Sequence, residues 1–507
     1  MSPPNFLIFM VDQMQGQVLQ PGHPCQMPHA ARLAREGVTF CQAYAPAAHC
    51  CPARATFLTG LYPSRHGIYN NVLTPTAIHR GLNPGVVTFS EGLREAGYAL
   101  AWAGKWHVTA EENPSDRGWE ELLVTAGRGD SHHSPIAQWQ RQPLDPPGPR
   151  QRGQILRPGW GSYSLYGSYP TDGPPERHHP DYPVVQAAVQ ALPRLAQRGQ
   201  PWCLYVGVTG PHDPFRVPER FARLYDPHQV PLPPNFPDPL EDKPRIYRRM
   251  RQQVWGQLTP EEVREAIAHY WAYCSLEDVL LGEVLEALEA TGQAEDTCVV
   301  FLSDHGDYAG AHGHFCKGVP AFREAYHIPC IVRYPRGVVQ PGREVHAFVT
   351  LADLAPTFLE LAGLSVPPGL IGRSLLPFLR REVPPDWPEA FYSQFNGVEL
   401  YYTQRMVATQ EFKYVFNGFD DDELYDLRRD PHETVNRASD PDYQEIKRDL
   451  VGRMWRFAAR EQDELLFNRY ITVALVPWVG WNFQVPPIVK GDITVALVPW
   501  GPQEGLR

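Results

Sequence analysis

Short unbroken runs of apolar residues punctuate the chain. Asn5–Val11 has no polar position after its first residue, the pattern of a strand buried on both faces, and it stops at Asp12-Gln13. Thr39-Phe40 opens another strand, and residues 98–102, 202–208 and 297–302 are further apolar runs of strand length. Between them lie helical patterns. Pro28–Glu36 is one, and 261–290 is another, with Leu280, Leu281, Val284 and Leu285 on one side. Strands alternating with helices predict an α/β fold, a mixed but mainly parallel sheet flanked by helices. In such sheets ligands bind beyond the carboxyl ends of the strands. Asp12, Lys105, His212 and Asp304 each fall just after a predicted strand, so positions far apart in sequence are expected to converge on one crevice.

Two stretches break this rhythm. Residues 111–182 are rich in Pro, Gly, Tyr and His and show no period. That is too long for a plain connection and reads as an excursion, either a lid over the crevice or a surface elaboration. Pro384-Pro385-Asp386-Trp387-Pro388 then marks a boundary. Short strand patterns follow at 389–393, 404–408 and 412–416, with a helix over 442–462. The expected organisation is a catalytic unit over 1–385, a small C-terminal α+β unit over 386–465 and an apolar tail over 466–507. Within the tail the octamer at 471–478 recurs identically at 493–500. Two copies do not make a solenoid. A local duplication, or an apolar contact between the subunits of a homo-oligomer, accounts for such a tail.

Composition narrows the classes. A length of 507 residues fits one large domain plus a smaller one. With 43% hydrophobic and 20% charged residues, the chain is not disordered, coiled-coil or collagen-like. Its 53 prolines predict many fixed loops. The net charge is -11, from 57 acidic and 46 basic residues, and no Lys/Arg run occurs, which argues against a nucleic-acid partner. An anionic substrate must therefore be met by a local cluster of cations or a metal. No apolar run approaches the roughly 20 residues of a membrane span. The first apolar segment has neither a basic leader nor a small-residue cleavage site. Nine cysteines are scattered along the chain, and Cys203, Cys298 and Cys330 sit in apolar settings as core thiols. Together these features predict a reducing, cytoplasmic location.

The sharpest chemical feature is His49-Cys50-Cys51-Pro52-Ala53-Arg54. Pro52 is favourable near the start of a helix, where its missing N–H costs nothing. Cys50 then sits at the partially positive helix N-terminus, which lowers a nucleophile's pKa and attracts an oxyanion. Arg54 lies one turn on and reaches the same anion. Taken alone, two buried cysteines ahead of a helix carry no function.

The surroundings change that. Cys-x-Pro-x-Arg runs on into Thr59-Gly60-Leu61-Tyr62-Pro63-Ser64-Arg65-His66-Gly67. With it stand Val11-Asp12-Gln13, Gly104-Lys105-Trp106-His107, Pro211-His212-Asp213-Pro214-Phe215, Ser303-Asp304-His305-Gly306-Asp307, Lys317-Gly318, Glu423-Leu424-Tyr425-Asp426-Leu427 and Asp430-Pro431. In this order they resemble the formylglycine-dependent (type I) sulfatases of the alkaline phosphatase superfamily, close to its phosphonate monoester hydrolase branch.

The resemblance implies an alkaline-phosphatase-like fold and a sulfuric ester hydrolase acting on a small alkyl or aryl sulfate. It implies that a formylglycine-generating enzyme oxidises Cys50 during maturation, while Cys51 stays a thiol. One hydroxyl of the hydrated aldehyde, held on a metal, attacks sulfur; loss of a proton from the other releases sulfate. By the same resemblance Asp12, Gln13, Asp304 and His305 are the metal ligands, completed by the Cys50-derived oxygen. Oxygen ligation suits Ca2+, while the His305 nitrogen and neutral Gln13 admit Mn2+. Arg54 and Lys105 hold the diol, and Lys317 takes the sulfate oxygens. His107 is the base that breaks down the covalent ester, and His212 protonates the leaving oxygen. Asn71 stands where related enzymes bind substrate.

Three alternatives remain open. Phosphonate monoester hydrolases and phosphodiesterases resemble the chain in the metal pairs, in Cys-x-Pro-Ala-Arg and at Asn71, but generally lack the Lys105 and His107 of Gly-Lys-Trp-His. Choline sulfatase has a similar Asp-Gln start, and Trp160, Tyr163, Tyr166 and Tyr169 form a candidate cage for a cationic head. An inactive binding protein on the same scaffold would show its site residues turned apart. His132-His133 and His178-His179 read as surface pairs rather than ligands.

Overall fold

The computed structural model describes residues 3–129, 148–157, 161–398, 400–418, 420–466, 488–490 and 493–495. Along the chain the first elements are β1 (Asn5–Val11), α1 (Pro28–Glu36), β2 (Val38–Tyr44), α2 (Cys50–Thr59), β3 (Ala99–Lys105) and β4 (Glu120–Thr125). Three short strands follow: β5 (Gln154–Arg157), β6 (Gly161–Ser164) and β7 (Tyr166–Tyr169). Then come α3 (Tyr182–Ala196), β8 (Trp202–Gly207), β9 (Phe215–Pro218), α4 (Pro260–Ala290), β10 (Thr297–Ser303), β11 (Cys330–Arg333), β12 (Arg343–Thr350) and α5 (Leu354–Leu361).

Eight strands form the main sheet in the order β12-β2-β11-β10-β1-β8-β3-β4. All are parallel except β11, which runs antiparallel to both of its neighbours. The central strand β1 shows why continuous apolar sequence was required. Its side chains alternate between two cores: Leu7, Phe9 and Val11 join α1, α3 and α4 on one face. Phe6, Ile8 and Met10 join α2 and α5 on the other. Neither face meets water, so no polar alternation survives.

The segment read as a patternless excursion is partly built into this body. It supplies β4, paired parallel to β3 at the sheet edge. It also supplies the β5–β6 hairpin and β7, which pairs parallel with β9. The turn before β5 is pinned to the start of α4, where Arg150 pairs with Glu262 at 2.7 Å and the Gly153 N–H donates to Glu262 at 2.8 Å. His132, His133 and Trp160 lie outside the described residues.

A four-stranded antiparallel sheet follows: β13 (Phe391–Gly397), β14 (Tyr401–Ala408), β15 (Phe412–Asn417) and β16 (Glu423–Asp426), with α6 (Gln444–Arg460) packed against it. β16 was not expected. It is only four residues long, and its buried Glu423 accepts hydrogen bonds from the Tyr247 and Tyr425 hydroxyls at 2.7 and 2.5 Å. Tyr44, Tyr326 and Phe348 of the larger body pack with Phe391, Met406 and Val415 to join the two sheets. In the tail, β17 (Ile488–Lys490) and β18 (Ile493–Val495) form an antiparallel pair, while the first copy of the octamer lies outside the described residues. No helix among the described residues is long and apolar enough to cross a membrane.

Candidate active site

The four strands β10, β1, β8 and β3 are adjacent, and each delivers chemistry at its carboxyl end. Asp12 follows β1, Asp304 follows β10, and Lys105 closes β3. His212 lies in the loop after β8. This is where open α/β sheets bind ligands. β3 and β8 approach closely because of Gly104. Its φ is +103°, and a Cβ there would meet the Gly207 carbonyl oxygen at 1.9 Å.

α2 enters the crevice end-on. His49 is extended (φ -156°), and Cys50 is the first helical residue. Gly60 ends the helix with φ +68°, donating to the Thr56 carbonyl at 2.9 Å. Every residue of the helix is buried. The expectation that Cys50 stands at a helix N-terminus therefore holds in the structure.

One donor atom from each of Asp12, Cys50, Asp304 and His305 lies within 4.8 Å of the others, and all four residues are buried. Cys50 Sγ is 3.2 Å from His305 Nε2 and 3.7 Å from Asp12 Oδ1. His305 Nδ1 is 2.9 Å from the Gly306 carbonyl oxygen. That oxygen only accepts, so Nδ1 carries the proton and the Nε2 lone pair faces the cluster, the tautomer of a metal-binding imidazole. Burial pushes the His305 pKa down, which keeps the ring neutral.

Arg54 ties the two carboxylates together. Its Nε donates to Asp304 Oδ2 at 2.8 Å, one terminal nitrogen to Asp12 Oδ2 at 3.1 Å, and the other to the Tyr205 hydroxyl at 3.0 Å. Lys105 Nζ reaches Asp12 Oδ2 at 2.5 Å. Burial opposes the charge on Asp12, but Lys105, His212 and Arg54 hold its carboxyl well below the usual range.

Beside this group lies a second one. Lys317 Nζ is 2.5 Å from both Gln13 Oε1 and His212 Nε2. Gln13 Nε2 donates to Asp213 at 3.1 Å and to Asp307 at 2.6 Å. The Gln13 amide is thus shared among Lys317, Asp213 and Asp307, and its oxygen keeps a second lone pair beyond the bond from the ammonium. His212 Nδ1 donates to the Asp213 carbonyl oxygen at 2.7 Å, which leaves Nε2 as the acceptor for Lys317. Gln13 and His107 hold left-handed φ values of +71° and +45°, strain of the kind that collects at functional sites.

His107 is buried, and neither ring nitrogen has a hydrogen-bond partner among the described residues. Burial, then Lys105 and Arg54, push its pKa well down, so the ring is neutral and keeps a free lone pair. Asn71 stands behind Cys51 and accepts from the Cys51 N–H at 3.2 Å. Cys51 is fully buried, and burial pushes its thiol pKa up.

Four contributors were not singled out from sequence. Asp213 and Asp307 sit inside motifs that were read, one residue after His212 and two after His305. Tyr205 was hidden in an apolar strand, where its ring stacks on Trp102 at 3.6 Å. Tyr163, noted only as a cage ring, donates to Asp213. Tyr166 is committed instead to Glu265 and to the His269 ring of α4. The pair His178-His179 corrects the sequence reading. His178 faces solvent, but His179 is only 3% exposed and packs against Tyr273 of α4.

A mainly parallel sheet with this crevice at its carboxyl edge is the architecture of the alkaline phosphatase superfamily. The phosphonate monoester hydrolase SpPMH from Silicibacter pomeroyi shares the fold with a TM-score of 0.74 at 24% identity, covering 91% of this chain and 96% of that one. A family model described as Sulfatase matches residues 4–364, and one described as the C-terminal part of N-sulphoglucosamine sulphohydrolase matches 310–460. The chain belongs to the sulfatase family. It is 30% identical to a choline-sulfatase of Rhizobium meliloti (strain 1021) across 86% of this chain and 83% of that protein. It is 29% identical to arylsulfatase K of Danio rerio, across 86% and 80%.

Proposed function

We propose that the chain hydrolyses a small alkyl or aryl sulfate ester, with Cys50 converted to formylglycine as its nucleophile. The observation that carries this reading is the convergence of Cys50 with Asp12, Asp304 and His305 at a helix N-terminus, with Arg54 bridging the two carboxylates. An inactive scaffold would not need these groups turned toward one another.

The donor set fits a divalent cation: two buried carboxylates, an imidazole with its Nε2 lone pair facing in, and the Cys50 position. Asp12, Asp304 and His305 would hold it, and Gln13 would join through the second lone pair of its amide oxygen. We take Ca2+ as the ion and Mn2+ as the alternative that the nitrogen donor admits. When bound, the cation supplies Lewis-acid polarisation and a lowered nucleophile pKa.

The side chains divide the remaining work. Arg54 and Lys105 fix the hydrated aldehyde by charge. One of its hydroxyls releases its proton to solvent and its oxygen bonds to sulfur as the ester S–O bond breaks, and the leaving alkoxide takes its proton from the Lys317–His212 pair. His107 then accepts the proton of the second hydroxyl. The carbon–oxygen bond to sulfate breaks and the aldehyde reforms. Lys317 and Asn71 contact the substrate.

A second reading, hydrolysis of phosphonate or phosphate esters, rests on the same tetrahedral anion and on the fold shared with SpPMH. Lys105 and His107 at the centre support sulfate as the better substrate. The test has two parts. Protein co-produced with a formylglycine-generating enzyme should give a Cys50 peptide with the aldehyde mass and Cys51 as a thiol. Its kcat/KM should be higher for an aryl sulfate than for an aryl phosphonate monoester. An unmodified Cys50 removes the nucleophile and the reading with it; a reversed ratio moves the chain to the second reading.

A further inference from the structure

Behind the loop that carries His212 lies another group of metal-competent side chains that the hydrolysis above does not use. His179 and Asp181 lie just ahead of α3, and Glu277 projects from α4. They are 3%, 2% and 0% exposed. A ligand atom from each lies within 4.8 Å of the others. His179 Nδ1 is 3.6 Å from Asp181 Oδ2 and 3.9 Å from Glu277 Oε1.

Glu277 is the telling residue. Both of its carboxylate oxygens are buried without a hydrogen-bond partner among the described residues. The charge acting on it is that of Asp181, which has the same sign. Asp181 is already anchored, accepting the Thr209 and Gly210 N–H groups at 2.8 Å each. The site is tight: a Cβ at Gly210 would meet Glu277 Oε1 at 2.1 Å. Two buried acids with no cation between them are costly. A proton shared between Glu277 and Asp181 would relieve the charge through a hydrogen bond between the two acids, and a dication would relieve it for both at once. His179 Nδ1 accepts from the Asp181 N–H at 3.2 Å, so the ring proton is on Nε2, and the Nδ1 lone pair takes a cation by giving up this one long hydrogen bond. One neutral nitrogen with two carboxylates is a donor set for a transition-metal dication, whose charge they would balance.

We propose that His179, Asp181 and Glu277 form a second cation site, for a divalent transition ion such as Zn2+ or Mn2+, joining α3 and α4 to the loop that carries His212 and Asp213. The test equilibrates metal-stripped full-length protein with Zn2+. Bound metal is counted by elemental mass spectrometry, and anomalous diffraction is collected at the zinc edge. An anomalous peak among the three side chains of the wild-type protein is expected. Glu277→Gln should bind one equivalent fewer than wild type. A wild-type map with no peak there, or an unchanged count in Glu277→Gln, overturns the proposal and leaves a shared proton as the account of the pair. The peak is read by position, so the result does not depend on conversion of Cys50 or on the ion at Asp12.

Discussion

Arg54 makes four hydrogen bonds at the site, to the Asp12 and Asp304 carboxylates, to the Lys105 carbonyl oxygen and to the Tyr205 hydroxyl. The Tyr205 hydroxyl accepts from it at 3.0 Å, while the Tyr205 ring is fixed separately by stacking on Trp102. Tyr205→Phe should therefore keep the fold while losing the orienting bond from Arg54 and the weak hydroxyl bond to Met10 Sδ. The expected cost is about 1 kcal/mol of stability, with roughly a tenfold fall in kcat and little change in KM. Steady-state kinetics beside a urea titration measure both. Arg54→Lys is more severe, because a point charge cannot bridge Asp12 and Asp304. Leaving a buried carboxylate unpaired costs about 3–5 kcal/mol, and activity on aryl sulfate should fall below detection. The convergence of Asp12, Cys50, Asp304 and His305 was legible because strand ends and a helix start bring their motifs to one edge. Tyr205 was not, since a tyrosine inside an apolar run reads as core until its hydroxyl is seen to meet a guanidinium.

At the scale of elements, sequence was clearest where burial is complete on both faces. β1, β3, β8 and β10 are continuously apolar and were all anticipated. β4 (Glu-Glu-Leu-Leu-Val-Thr) and β12 (Arg-Glu-Val-His-Ala-Phe-Val-Thr) are edge strands of mixed character, and β12 pairs with β2, a neighbour distant in sequence. The β5–β6 hairpin depends on ion pairs to α4, which local pattern does not reveal. The close contact of β3 with β8 yields a prediction. Gly104→Ala places a Cβ on the Gly207 carbonyl and forces a residue with a side chain into φ +103°. It should cost more than about 3 kcal/mol and show as lost soluble yield or a lowered melting temperature. The turn after α2 holds another test. His66 is buried, with Nδ1 accepting the Ile68 N–H at 3.0 Å and Nε2 against the Thr56 hydroxyl at 3.1 Å. Burial pushes its pKa down to about 3. The unfolded chain takes up this proton near pH 6.5, so the stability is complete above that pH and is lost as pH falls toward 3. His66→Gln should flatten the dependence of unfolding free energy on pH between about 4 and 6, by about 1.4 kcal/mol per pH unit. Identical slopes in the two proteins would refute this.

For the whole molecule, two sheets share an aromatic seam around Tyr44 and Phe391, whose rings stack at 4.7 Å. We propose that the apolar tail over 466–507 mediates association between copies of the chain. Deleting residues 471–507 should halve the particle mass measured by light scattering, and an unchanged mass would sink the idea. The overall acidity of the chain also has an expected consequence. With a net charge of -11, attraction for an anionic substrate must come from local charge, that of Arg54, Lys105 and Lys317 together with the proposed cation. Added salt should therefore raise KM less steeply than it would for a basic enzyme.

Cys50 is 1% exposed, lies at the end of a helix that is buried throughout, and has Asp12 and His305 closed around it. No second protein's active site reaches a side chain so enclosed. The proposed oxidation thus belongs to the interval between synthesis and folding, and the folded chain keeps a permanent record of whether it happened in time. Treating folded, unmodified protein with the maturation enzyme should leave the Cys50 peptide mass unchanged. The same treatment of the urea-unfolded chain, after dilution, should shift it.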